Sequence, residues 1–147
     1  MKYEQRITKT DLARSTHSVI REAQRGYTVL VEHHGQPEVV IIDIVDFQLQ
    51  RAAIHSFSFP QEYANDIEIN EATLEPLPTD QDRFNVVIGH YLAVHISIGR
   101  SAELLGMSTP ELMVRLSRSG IALRFGPESQ EELDNEVEVI TKSLRGK

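Results

Sequence analysis

The run from residue 27 to residue 44, YTVLVEHHGQPEVVIIDI, limits what this chain can fold into more than any other stretch. Two β-branched segments flank HHGQP, and Gly35 supplies the backbone freedom that a tight reversal needs, so the run reads as a β-hairpin. Val29, Val31, Val39 and Ile41 alternate with polar or less buried positions and put one apolar face on the hairpin. ITKTDLARSTHSVIREAQRG precedes it and reads as a helix. Thr8 and Asp11 have capping-box spacing, Leu12, Thr16, Val19, Ile20 and Ala23 recur on one side, and Gly26 is a fitting stop. VDFQLQRAAI follows as a short second helix, with Phe47 and Leu49 as its apolar contacts. A helix, a hairpin and a helix of about fifty residues cannot cover a sheet face alone, because an isolated hairpin is marginal in water. A second copy of the chain is therefore expected on the face carrying Val29, Val31, Val39 and Ile41, giving a homodimer or a higher homo-oligomer.

The 147-residue chain has a formal net charge of -7, which at first argues against a nucleic-acid partner. The charge is segregated, however. Residues 1–51 are neutral, residues 52–82 carry seven acidic and no basic side chains, residues 83–126 are net +3, and residues 127–147 are net -3. Residues 55–82, with three prolines and scattered Phe57, Phe59, Tyr63, Ile67, Ile69 and Leu74, follow neither the helical nor the strand period. They read as an acidic linker that orders on a partner.

The net-basic block opens with DRFNVVIGHYLAVH, where Phe84, Val87, Ile88, Tyr91, Leu92 and His95 mark a helical face. A short helix over 99–105 leads to Gly106, and Ser108 with Glu111 forms a second capping box at the head of a helix over 109–118, ended by Gly120. Ala102 suits a close helix crossing, Gly106 a turn with positive φ, and Leu105, Met107, Leu112 and Leu116 a small core, which together make a helix-turn-helix. IALRF reads as a brief strand, and PESQEELDNEVEVITKSLRGK as an acidic amphipathic helix with Leu133, Val137, Ile140 and Leu144 on one stripe. Arg100, Arg115 and Arg118 suit phosphate contacts, and Thr109 and Ser117 suit base contacts. On these residues alone, the alternative is a tri-helical interaction domain that never touches DNA. The fold class expected for the whole is α+β: residues 1–54 a helix–hairpin–helix dimerisation unit, 55–82 the linker, and 83–147 a mostly helical unit.

Other classes find little support. There is no cysteine, hence no thiolate nucleophile and no Cys-based metal site. His33 and His34 are adjacent and His90 and His95 are five apart, so neither pair has the i,i+4 spacing of a helical metal site. Neither a phosphate-cradling glycine loop nor a Ser-His-Asp or paired-carboxylate pattern stands out, so no enzyme, cofactor or metal is expected. No stretch approaches the ~20 apolar residues of a membrane span, and the N-terminus has no apolar targeting region, so a cytoplasmic protein without membrane contact is the simplest expectation.

The first unit, through ITKTDLARS, VIREAQRG, VLVEHHGQPEVVIID and the aromatic in VDFQLQRA, resembles the Phd/YefM antitoxin N-terminal domain. Ser15 stands where that family often has Asn, and Thr16 where an apolar residue is common. The resemblance implies a dimer joined through the hairpins and an operator-DNA surface at the first helix and the arm before it, which at this chain's positions means Thr8, Lys9, Thr10 and Arg14. Residues 83–140, through GRSAELLGMSTPELMVRLSRSGIALRFG and the acidic helix, look like an uncharacterised prokaryotic helix-turn-helix family found at toxin–antitoxin loci, often beside PIN-domain ribonucleases. Together the resemblances imply a type II antitoxin that binds a cognate toxin and represses its own operon. The alternative from another class is an adaptor that uses both units for protein contacts alone.

Overall fold

A computed structural model describes residues 3–123. Its elements run β1 (Glu4–Thr8), α1 (Lys9–Arg14), α2 (Thr16–Gln24), β2 (Thr28–His33), β3 (Gln36–Ile41), α3 (Ile44–Ser58), a 3-10 turn (Pro60–Tyr63), α4 (Glu71–Leu74), α5 (Asp80–Leu92), α6 (Ile98–Leu104) and α7 (Thr109–Arg118). The class is mixed α+β, and the chain divides into two compact units at residues 48 and 49, inside α3. Among the described residues no helix is long and apolar enough to cross a membrane. The acidic helix expected over 127–147 lies outside the described residues, as does the end of IALRF; residues 121–123 form no strand.

The first unit is a three-stranded sheet in the order β1-β2-β3, with β1 parallel and β3 antiparallel to the central β2. The hairpin is as expected: His34 and Gly35 both have positive φ, 51° and 76°, the conformation that two-residue hairpin loops require. The parallel strand β1 is an addition to the sequence reading. Only Ile7 in EQRIT is strongly apolar, so alternation could not announce it. Its pairing is held instead by the Thr28 amide donating to the Tyr3 carbonyl at 2.7 Å and by Arg6 reaching Glu32 at 3.1 Å.

The single helix expected before the hairpin is broken in two at Ser15 (φ -129°, ψ 34°). Ser15–Thr16–His17–Ser18 is a run of poor helix formers, and the Thr16 hydroxyl turns back to donate to the Leu12 carbonyl at 2.7 Å. The helix α2 then packs on β2, burying Val19 and Ala23 together with Val29 and Val31. It ends as expected at Gly26, whose amide reaches Ala23 while that of Tyr27 reaches Glu22.

In the second unit the stretch read as a linker is folded. Tyr63, Ile69 and Leu74 are buried, and Ile69 and Leu74 share a core with Val87 and Leu104. Asn70 and Thr73 form a reciprocal capping box around the single turn of α4. Arg83 on α5 ties that turn down, pairing with Glu71 at 2.8 Å and donating to the Leu104 carbonyl. Short elements joined by caps leave no long period to detect, which is why this region read as unstructured. Residues 55–82 accordingly belong to the compact second unit, which begins at residue 49.

Candidate nucleic-acid interface

Helices α6 and α7 form the expected helical pair. Ser97 caps α6, accepting from the Arg100 amide at 3.0 Å, and Ser108 caps α7, accepting from the Glu111 amide at 3.2 Å. Gly106 has φ 73°, and the amides of Gly106 and Met107 close the turn onto Glu103 and Ala102. Ala102, Leu112 and Leu116 are buried as expected, but the fourth anchor is Leu104 in place of Leu105; Leu105 and Met107 are half-buried.

The basic side chains of this pair are already engaged. Arg100 reaches Glu103 at 2.9 Å and the Ile69 carbonyl at 3.4 Å. Arg115 was expected on the open side of α7, yet its side chain is only 15% exposed and bonds Glu111 at 3.1 Å. Arg118, half-buried, has a partner as well. Ser117 is exposed and Thr109 half-buried, and Val114 stands on the outer face with Ser117. Sequence spacing placed Arg100 on one helix and Arg115 and Arg118 on the next, and Glu103 and Glu111, three and four residues away on the same helices, take two of them.

The first unit offers a different arrangement. Thr8 is the N-cap of α1, accepting from the Asp11 amide at 3.1 Å, so its hydroxyl serves the helix before any ligand. Lys9 pairs with Glu38, the extra residue where the β2–β3 register shifts, and this contact holds the Glu38 carboxyl below its ordinary pKa. Thr10 and Arg14 are exposed, and Arg14 makes no ion pair or hydrogen bond among the described residues.

The break at Ser15 adds something the sequence reading missed. It starts a second helix immediately after Arg14, and Ser15 makes no side-chain cap bond to it. First-turn amides of a helix have no intrahelical acceptors and favour anions. Residues 13–18 are all exposed, and Arg21, bonded to His17 at 2.9 Å, lies one turn further along. Arg14, Ser15 and His17 thus sit at the elbow, with Arg21 one turn along α2 and Lys9 and Thr10 at the far end of α1. The Ser-Thr-His-Ser run was the available signal.

The expected dimerisation residues divide. Val29 and Val31 are buried within their own chain and are core residues. Val39 is 52% exposed although it pairs directly with Val31, Ile41 is half-buried, and Val40, on the opposite sheet face, is 53% exposed. Among the described residues no group of three or more metal-ligating side chains occurs. No family model, no curated protein and no solved structure matches the chain.

Proposed function

We propose that the chain is a dimeric antitoxin-type autorepressor whose first unit contacts operator DNA and whose second unit offers a surface to a cognate toxin. The observation that carries the DNA assignment is the α1–α2 elbow, where Arg14, without a partner among the described residues, adjoins the uncapped first turn of α2 on an exposed, hydroxyl-rich surface. Phosphate oxygens suit such a surface, since backbone amides and an arginine both donate to them. The helix pair α6–α7 then acts as architecture, with Arg100 and Arg115 held by Glu103 and Glu111 of its own helices.

The dimer reading is supported by β3. This edge strand carries two half-exposed valines, one on each face, and Pro37, which lacks the amide that edge-to-edge pairing would use. A second copy would therefore cover Val39 face-on and not by extending the sheet. The partner surface is supported by Ile54, Phe57, Phe59 and Ile67, all exposed and apolar within a stretch of the second unit that carries no basic residue. A basic toxin suits both properties.

Binding of the intact chain to its own promoter DNA, measured against salt, tests the reading. Arg14→Ala is expected to weaken binding and to lower the salt slope by about 1, the value for one lost phosphate contact. Arg115→Ala is expected to leave the slope unchanged. An adaptor confined to protein contacts would show no salt-dependent binding in any of these variants.

A further inference from the structure

At the end of α5, two imidazoles face each other with their Nδ1 atoms 3.0 Å apart, those of His90 and His95. The pair is built in from several sides. His90 is 2% exposed, and the edge of the Tyr63 ring packs against it with centroids 5.2 Å apart. Tyr63 in turn lies so close to Gly89 that any Cβ there would clash with its ring. The backbone repeats the tie: the His95 amide donates to the His90 carbonyl at 2.9 Å and the Val94 amide to the Tyr91 carbonyl at 3.0 Å. Between the two histidines, Val94 is held at φ 65°, a left-handed conformation that a β-branched residue rarely adopts. The cap of α6, Ser97, follows two residues later.

An Nδ1–Nδ1 contact of this length has room for one hydrogen. It forms when one ring donates and the other accepts, whether the pair is neutral or carries a single positive charge. It cannot form when both rings are doubly protonated, because both nitrogens are then donors. We propose that the His90–His95 pair is an acid-sensitive latch on the α5–α6 turn, closed while one Nδ1 remains free to accept and opened by the proton that removes the last acceptor.

The surrounding charges fit this sense. Burial first, and then His95, push the His90 imidazole below its ordinary pKa, against a smaller upward pull from Asp66. From α3, His55 reaches the pair only through the Tyr63 ring, and its own imidazole is bonded to Glu62. On α6, Arg100 and Glu103 neutralise each other. A buried base with a lowered pKa binds fewer protons folded than unfolded. The closed state is therefore fully favoured above the ordinary histidine value of about 6.5 and loses ground as pH falls below it. Opening would release Val94 from its left-handed conformation and slacken the link into α6.

Amide hydrogen exchange on the full chain between pH 8 and pH 5, corrected for intrinsic rates, tests the latch at Val94 and His95. Their protection is expected to fall about tenfold per pH unit below about 6.5, the slope for one proton taken up on opening. Amides of the α7 core at Leu112 and Leu116 are expected to keep theirs. In His90→Gln the Val94 slope should flatten. Constant protection at Val94 across the range in the native chain would overturn the proposal, and that measurement requires no variant to fold. So would an equal loss at Leu112, which would mean general acid unfolding, or an unchanged Val94 slope in a folded His90→Gln.

Discussion

The two units handle apolar surface in opposite ways. In the second, Leu74, Val87, Ile88, Leu104, Leu112 and Leu116 are all essentially buried, every helix from α4 to α7 begins with a side-chain cap, and α5, α6 and α7 each end in amide bonds that close the last turn. In the first, the sheet buries Val29 and Val31 but leaves Val39, paired directly to Val31, half in water. The central strand is finished by its own chain and the edge strand is not. A sheet needs cover along its whole face, whereas a small helical cluster closes once its short helices are capped and packed. The helix α3 carries the contrast within a single element. Asp46, Leu49 and Ala53 are buried on one side, while Ile44, Phe47, Ile54 and Phe57 at three-, seven- and three-residue steps are exposed on another.

Paired truncations expose this difference most strongly. Leu112→Ala removes a fully buried side chain and is expected to destabilise the second unit by about 2–5 kcal/mol. Val39→Ala removes a half-exposed one, and in dilute, monomeric protein is expected to cost no more than about 0.5 kcal/mol. Denaturant melts of the two variants at low concentration measure both. If Val39→Ala were as costly as Leu112→Ala in the monomer, β3 would already be covered and the contrast would be lost. At concentrations where the chain associates, only the cost of Val39→Ala should grow, because association stabilises the folded state by mass action.

Much of this architecture was legible in the sequence where one residue type dictates one conformation. Gly35 and Gly106 mark the two sharp reversals, and Thr8, Ser108 and Gly26 mark helix ends, because caps and positive-φ turns are local. Strand β1 was not legible, since a parallel edge strand is defined by its neighbour across a helical crossover and EQRIT holds too little apolar character to betray it. Residues 55–82 failed for another reason. Their buried Tyr63, Ile69 and Leu74 are six and five positions apart; Tyr63 and Leu74 lie in separate one-turn elements and Ile69 in the loop between them, so no periodicity links them. At the candidate interface, spacing found the basic residues and holds the on-helix pairs Arg100–Glu103 and Arg115–Glu111, whereas the pairing of Lys9 with Glu38 across the fold shows only in three dimensions.

Alkaline pH should separate the units next. Burial, with a smaller contribution from neighbouring Glu62, pushes the Tyr63 hydroxyl up to about 12. The group keeps its proton more tightly when folded, so its contribution is fully present below about pH 10, the ordinary value, and is lost as pH rises from there towards 12. Melts monitored at second-unit amides are therefore expected to weaken across that window. Tyr63→Phe keeps the ring against Gly89 and His90 while removing the titrating group, so it should abolish this component of the loss. If the phenylalanine variant weakened to the same extent, the alkaline sensitivity would belong to another group.

The smallest effect tests whether the same bond has the same consequence in both units. Thr8 and Ser108 each accept from the backbone amide three residues on, at 3.1 and 3.2 Å. Loss of such a cap costs about 1 kcal/mol in general. Helix α7 buries Leu112 and Leu116 in the second core, so Ser108→Ala is expected to lower the stability of the whole unit by about that amount. Helix α1 has six residues and buries none, so Thr8→Ala has little packing to disturb. Its loss should appear as fraying of α1, with weaker protection at the Asp11 amide and at the Ser15 amide that donates to the Asp11 carbonyl, while the global melt of the first unit stays unchanged. Because Lys9, Thr10 and Arg14 all lie on α1, the same fraying should also weaken the proposed DNA contact. A Thr8→Ala variant that lost global stability as Ser108→Ala does would place α1 within the first unit's core, and the unlike closure of the two units would no longer hold.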